Sequence, residues 1–416
     1  MKLHSQFVMM ITHIPIDLIS DILSRLPAKT VVCLKIVCKS WYNLISDNDF
    51  VNCHLERSLA TKTNLHFVVA TPKFYLQEYD NLEEPIKQNC PVLYSADFDS
   101  LDNPVDLSHP YKNCKTPVRV IGSCRGLLLL RVKCGHLLLY NPTTQTYNVL
   151  PLLLENKPAT EYVHFDYGFG YDSVSRDYKC VRIMQCLFVE TGDVMFEVMV
   201  YSLRTNCWKR VPDVPCYFRP HGSDIGVLVN EVCHWVGTGI GNVYEHIVTF
   251  NLRDETFSRL PLPNLLQNLQ FEILHGLYVG MLDGCLCLSA NRYPHCDLWV
   301  MKEYGVAGSW TKMFTFGTLA SVNLTRPLCY SVDKKRLLLK TSLFRLHCFD
   351  LETMKHTELM FADWNRDLDA HVYVENLLML DYAEFIDDFH VPTSKETRKR
   401  EEQEEEKDKD QELKII

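Results

Sequence analysis

An aromatic residue running into a turn recurs five times along this chain, and that recurrence limits the fold more than any other feature. The five are Tyr140-Asn141-Pro142, Tyr201-Ser202-Leu203, Phe250-Asn251-Leu252, Trp299-Val300-Met301 and Phe349-Asp350-Leu351. They lie roughly 50 to 60 residues apart, a spacing that marks an internal repeat. A second bulky residue follows the first three at one offset, as Tyr147, Trp208 and Phe257. In the fourth unit it is delayed to Trp310, and in the fifth His356 fills the slot. Each unit also opens on a strand pair around a small turn, as in the apolar runs 126–130, 231–236, 284–288 and 335–340. One repeat therefore reads as an inner strand, a middle strand ending in the aromatic, a turn, and an outer strand carrying the second bulky residue. That is the plan of a β-propeller blade; a large β-sandwich with accidental spacing is the competing reading.

Five such repeats cover about 118 to 365. Residues 65–69 and 92–96 supply strands for a further blade, and 371–375 with 377–380 offer a late strand that can close the ring. Six blades fit best, with seven as the alternative. Closure by strands from both ends leaves no free edge.

Upstream of this β region the texture is helical. Leu18, Ile19, Ile22, Leu23 and Leu26 recur at helical spacing, with Pro15 tolerable in the opening turn and Pro27 as the interruption. Val31, Val32 and Leu34 lead into a third helix carrying Val37, Cys38, Trp41, Leu44 and Ile45, and Asp47-Asn48-Asp49 supplies turn or cap chemistry before Phe50. A unit of roughly 45 residues buries little of its own surface and is marginal alone. Its surplus of apolar faces suggests a docking module, or else a small bundle packed on the rest of its own chain.

Composition narrows the function classes. The formal net charge of −9 argues against a nucleic-acid binder, because phosphate affinity needs clustered Lys and Arg. No apolar run approaches the roughly 18 residues of a membrane span, and the run 7–11 is too short for the core of a secretory signal. The cytosol or nucleus is the expected location. The 17 cysteines are an odd number scattered through apolar runs, which suits free thiols in a reducing compartment. There is no Cys-x-x-Cys pair, and the adjacent pairs Cys233-His234, His295-Cys296 and His347-Cys348 point to opposite strand faces, so neither a metal nor another cofactor is expected.

Catalytic patterns fare no better. Gly122-Ser123-Cys124-Arg125-Gly126 has the spacing of a nucleophile elbow, but the chain continues as a strand where an elbow needs a helix. Both glycines read as devices for a tight turn. Trp208, Trp235, Trp299 and Trp310 could be stacking platforms of a sugar-binding propeller, though blade packing explains their repeat positions better.

Residue order adds a resemblance. The run Ile14-Pro15, Asp21-Ile22-Leu23, Arg25-Leu26-Pro27, then Val37-Cys38-Lys39-Ser40-Trp41 and Leu44-Ile45 resembles the F-box. Gly122 to Leu127, Tyr140-Asn141-Pro142-Thr143-Thr144, Phe169-Gly170-Tyr171-Asp172, Asp177-Tyr178-Lys179, Val200 to Leu203 with Trp208, and Asn230 to Trp235 resemble the F-box-associated, kelch-like region of a large plant F-box family. The fold class expected is thus α+β and multidomain: a small all-α N-terminal F-box followed by a mainly β domain, a six-bladed β-propeller. The expected divisions are an extension at 1–11, the F-box at 12–58, the propeller at 62–385 and a charged tail at 392–416. That family includes S-locus F-box proteins of pollen self-incompatibility and receptors controlling immune-receptor turnover.

The resemblance implies a non-catalytic specificity subunit of an SCF-type ubiquitin ligase. Its F-box would bind a Skp-type adaptor, and through it a cullin scaffold and RING subunit, while the propeller recognises a target protein for ubiquitination and degradation. Ile14, Pro15, Leu18, Ile19, Ile22, Val37, Cys38 and Trp41 are the adaptor-binding residues expected, some of them also holding the helices together. Pro15 and Trp41 stand out, because Trp is over-represented at interface hot spots. Target recognition is expected on loops, with candidates at 155–162, 185–194, 215–225 and 290–297. In 215–225, Tyr217, Phe218, Arg219 and His221 have the composition of an interface core; a packed connection between blades is the equal alternative. A propeller binding protein or glycan without degradation is the rival function. The charged run from Ser394 reads as a solvated tail.

Overall fold

The computed structural model describes residues 14–380 apart from 62–64, 71–92, 97–103, 111–117, 133–135, 154–161, 189–190, 192, 213–215, 219–224, 240–244, 267–275, 293–294, 318–323, 332, 342–344 and 360–368. Four helices come first: α1 (Ile16–Leu23), α2 (Ala28–Leu34), α3 (Lys39–Ser46) and α4 (Asn48–Thr61). Pro15 and Pro27 stand immediately before α1 and α2, where a missing N–H costs nothing. The fourth helix is one more than the apolar periodicity announces, since its buried face (Phe50, Val51, His54, Leu55, Ser58) mixes polar and apolar residues. Asp47 caps it, its Oδ1 accepting from the Asp49 amide at 2.9 Å and the Phe50 amide at 3.3 Å.

Six antiparallel sheets follow, and the strands nearest the axis of neighbouring blades lie side by side around a closed ring. Blade II runs Val118–Cys124, Leu127–Val132, Leu137–Asn141, Thr146–Val149. Blade III runs Tyr162–Asp172, Asp177–Leu187, Val194–Ser202, Cys207–Val211. In blade IV the inner strand is split into Cys216–Phe218 and Val227–Val229, both paired to Val232–Gly239, with Glu245–Asn251 and Thr256–Leu260 outside. Blade V comprises Leu277–Leu282, Cys285–Arg292, His295–Met301 and Trp310–Gly317; blade VI comprises Leu324–Tyr330, Arg336–Thr341, Leu346–Asp350 and Lys355–Leu359. Blade I joins both parts of the chain. Leu65–Ala70, Leu93–Ala96 and Val105–Leu107 receive Asp369–Val374 as their inner strand, paired along Leu65↔Val374 to Ala70↔Asp369.

The repeat seen in the sequence is a cross-strand pair. Tyr140 faces Tyr147, Tyr201 faces Trp208, Phe250 faces Phe257 and Phe349 faces His356, one pair on the outermost hairpin of blades II, III, IV and VI. Such pairs stabilise a sheet by direct side-chain contact. The connecting turns share a mechanism too. Asn141, Asn251 and Asp350 each accept an amide two or three residues on (Thr143, Arg253, Thr353) at 2.7–2.9 Å. Gln145, Asn206, Glu255 and Met354 then take the left-handed conformation that reverses the chain. Blade V departs from the rule. Trp310 faces Met301 and Trp299 lies opposite Lys312, with a bulge only beyond it at Leu298, and the connection is lengthened by a 3-10 turn at Ala307–Ser309.

Apolar character falls from the axis outward. Leu127 to Leu130 are all buried, since neighbouring blades cover both faces. The outermost strand Lys355–Leu359 is exposed at its first four residues. Trp235 is the largest fully buried side chain and fills the gap between blades III and IV. It fits because its neighbours lack side chains: a Cβ on Gly226 would stand 2.5 Å from the indole and one on Gly168 2.9 Å. Gly126 makes the predicted tight turn at φ +86°, but Gly122 does not. It lies inside a strand, where a Cβ would meet the Phe169 Cβ at 2.6 Å, so its role is close approach between blades II and III.

Candidate functional site

Ile19 and Leu23 of α1 turn inward to a core with Ala28, Val31, Ile45, Phe50 and Val51. The same helix keeps other apolar residues in solvent. Leu18 is 56% exposed and Ile22 54%, and Ile14 and Pro15 at its lead-in are also exposed. Val37 and Cys38, between α2 and α3, are exposed as well. The Ser40 hydroxyl, 3.1 Å away, and the Trp41 amide draw the Cys38 thiol below its ordinary value.

The eight expected adaptor-binding residues thus divide. Ile14, Pro15, Leu18, Ile22, Val37 and Cys38 face solvent; Ile19 is buried and Trp41 is half-buried against the bundle core. Three exposed apolar residues were missed by periodicity: Ile16, Tyr42 and Ile36, the last 90% exposed. Ile36 adjoins Val37 in the connection between α2 and α3, a stretch whose periodicity reads as the start of the third helix, so no sequence signal marks it.

The helical unit is seated on the propeller rather than tethered to it. Leu377, which follows the ring-closing strand, is part of the helical core. Glu375 is buried and accepts from the Lys29 amide at 3.4 Å; its carboxylate also meets the Lys29 ammonium at 3.1 Å and His66 Nε2 at 3.2 Å. Burial alone would raise this carboxyl, yet His66 and Lys29 hold it below the usual range. Arg125, in the first turn of blade II, pairs with Glu56 of α4.

The expected target-binding loops resolve differently. Phe218 is corrected: at 2% exposed it packs edge-on against Trp235, and Gln185 clamps its backbone, donating to its carbonyl at 3.0 Å and accepting from its amide at 2.9 Å. A side chain held between blades cannot meet a partner, so the packed-connection alternative holds at Cys216 and Phe218. Tyr217 pairs through its backbone with Thr238, while Arg219 and His221 lie outside the described residues. The described parts of 185–194 and 290–297 are largely the ends of paired strands. In the first, 185–187 and 194 are paired strand and Phe188 N–H donates to Asp193 O at 2.9 Å, with 189–190 and 192 outside the described residues; in the second, 290–292 pair with 295–297 through Arg292↔His295, with 293–294 outside them. The 155–162 insertion, apart from the backbone of Tyr162, and the charged tail lie outside the described residues.

The remaining chemistry is buried. Cys124 sits in a strand–turn–strand and burial pushes its thiol up to about 12, far from a nucleophile's range. Trp235, Trp299 and Trp310 are buried and so are not open stacking platforms, while Trp208 is half-buried, packed beside Tyr201 and donating to Pro151 O at 2.8 Å. Among the described residues no cluster of three or more His, Cys, Asp or Glu could hold a metal ion, and no helix is long and apolar enough to cross a membrane.

Comparison with known proteins agrees with this architecture. Residues 11–52 match the F-box domain, and residues 98–363 match the F-box associated beta propeller domain. The chain is 36% identical over 389 residues to F-box protein CPR1 of Arabidopsis thaliana, covering 88% of this chain and 89% of that protein. It is 32% identical over 371 residues to F-box protein At4g22390 of the same plant, covering 82% and 85%. With F-box/kelch-repeat protein At3g23880, also of Arabidopsis thaliana, it shares 29% over 329 residues, covering 77% and 83%. A four-helix unit with an exposed apolar face, seated on a six-bladed ring, belongs in this company: the chain is a member of the F-box protein family whose C-terminal part is an F-box-associated β-propeller.

Proposed function

We propose that this protein is the substrate-recognition subunit of an SCF-type ubiquitin ligase, binding a Skp-type adaptor through the F-box and a target protein through the propeller. The observation that carries the reading is the split of α1. Ile19 and Leu23 build the core, while Leu18 and Ile22 on the same two turns remain in water beside Ile14, with Ile36 and Val37 exposed in the next connection. Solvent-exposed leucine and isoleucine in a small unit that already has a core point to a partner surface. The adaptor would bring the cullin and RING subunits indirectly, in the cytosol or nucleus.

The chain's contribution is positional and non-catalytic. Holding a target beside the charged enzyme converts an encounter into an intramolecular event, which raises effective concentration without a reacting side chain. The orientation of target to ligase is set by the F-box–propeller contact through Leu377, Glu375 and Arg125. Whether the target belongs to immunity or self-incompatibility depends on the propeller surface.

The test is a pull-down from plant extract of the wild-type chain beside Leu18→Ser/Ile22→Ser, with mass spectrometry of bound proteins and their ubiquitin remnants. Adaptor and cullin bound to the wild type alone, with a third protein bound to both but ubiquitinated only with the wild type, is the expected result. A wild type that captures neither adaptor nor cullin overturns the reading. A captured protein that is never ubiquitinated indicates a non-degradative scaffold.

A further inference from the structure

The last strand of the ring and the core of the F-box are parts of one continuous segment. Asp369–Val374 closes blade I, and the next residues leave the ring and enter the helical unit. Leu377 is 1% exposed and completes the core built by Ile19, Leu23, Ala28, Val31, Ile45, Phe50 and Val51. The N-terminal unit, made first, therefore lacks a core residue until the C-terminal segment arrives.

The same segment is gripped from the other side by blade II. Asn141 Nδ2 donates to the carbonyls of Asn376 at 3.0 Å and Leu378 at 2.7 Å. The Asn376 amide donates to Thr143 Oγ1 at 3.2 Å, the Leu380 amide donates to Thr146 Oγ1 at 3.0 Å, and Asn376 Nδ2 donates to Arg125 O at 2.7 Å. Asn141 and Asn376 are wholly buried, so these bonds are protected from exchange with water. Residues 375–380 form a strap, with blade II on one side and the F-box core on the other.

We infer that ring closure completes the F-box, so that a chain with an open ring presents a loosened adaptor-binding face. The inference rests on the adaptor reading above for its functional consequence, but not for its structural part. A bundle this small has little stability to spare, and an empty leucine site in its core is a cavity it absorbs poorly. Thermodynamic reciprocity follows: adaptor binding should in turn protect the strap and the closing strand. The coupling would favour assembly of completed receptors over unfinished or damaged ones.

The experiment is amide hydrogen exchange on the full chain without adaptor, alongside titration with a purified Skp-type adaptor. Asn141→Ala removes two bonds to the strap from a turn in blade II and alters no F-box residue. Asn251→Ala is its control: it occupies the equivalent turn of blade IV and caps Arg253 at 2.8 Å. Asn141→Ala is expected to speed exchange in α1 to α3 about tenfold and to weaken adaptor binding by a similar factor, with Asn251→Ala leaving both near wild type. Leu377→Ala should act in the same direction and more strongly. Wild-type exchange of the F-box amides in Asn141→Ala overturns the coupling, as does an equal loosening by Asn251→Ala. If the wild type does not bind the adaptor, the adaptor reading falls, and the exchange comparison alone upholds or overturns the coupling.

Discussion

The F-box and the propeller are both rich in Leu, Ile and Val, yet the helical unit leaves a run of them in solvent where the central blade strands bury theirs. In the propeller, Leu127 to Leu130, Leu286, Leu288 and Leu337 to Leu339 are all buried, because each blade has a neighbour on both faces. In the helical unit, Ile14, Ile16, Leu18, Ile22, Ile36 and Val37 are all exposed. The contrast separates apolar residues that hold a fold from those that the proposed function assigns to the adaptor. It also shows that an apolar helix face in a small module needs its solvent exposure known before a role is assigned.

Four measurements can break or sharpen this contrast. The largest effect belongs to the propeller: Trp235→Ala should lower the unfolding free energy by about 3–5 kcal/mol in chemical denaturation, since it empties the largest buried site between blades. Next is a pH effect at His234, which is fully buried between Val227 O (3.0 Å) and the Tyr304 hydroxyl (2.8 Å), with its imidazole pushed by burial down to about 4. The unfolded chain takes up a proton below the ordinary 6.5 that the folded chain refuses. Stability should therefore be complete above pH 6.5 and fall by about 3 kcal/mol as pH drops to 4. In His234→Gln that slope should flatten; an unchanged slope would locate the titration elsewhere.

Asp172 should give a smaller effect at lower pH. Burial would raise its carboxyl, but the Ser175 hydroxyl at 2.6 Å and the Lys179 ammonium at 3.1 Å hold it at about 2. Its stabilisation is present above the ordinary 3.8 and lost as pH falls toward 2, amounting to about 2 kcal/mol. Asp172→Asn should remove that acid-range dependence in thermal melts. The smallest stability change is expected at the F-box surface. Leu18→Ala/Ile22→Ala should change the unfolding free energy by no more than about 0.5 kcal/mol while lowering adaptor affinity at least tenfold by titration calorimetry. A large loss of stability there would make those residues structural and dissolve the contrast.

Much of this architecture was legible in the residues. The spacing of Tyr140, Tyr201, Phe250 and Phe349 with their later bulky partners reports a cross-strand pair that blades II, III, IV and VI repeat, and local pairing leaves a local signal. Trp299 misled because a longer connection in blade V shifts the register, so Trp310 meets Met301. Phe218 misled for a different reason. An aromatic near Arg and His has the composition of an interface whether it faces water or a neighbouring blade, and only the clamp by Gln185 tells them apart.

The sequence by itself determined the order of the first three helices and of the blades, the aromatic hairpin pairs and the F-box resemblance, because each depends on residues close together in the chain. Which of Ile14, Pro15, Leu18, Ile19, Ile22, Val37, Cys38 and Trp41 faces outward was decided by tertiary structure alone, since the burial of Ile19 and Trp41 depends on what packs over the helices. So was the seat of the F-box, where Lys29 meets Glu375 across 346 positions of sequence. No periodicity reports such a contact, because its two halves are brought together only when the ring closes.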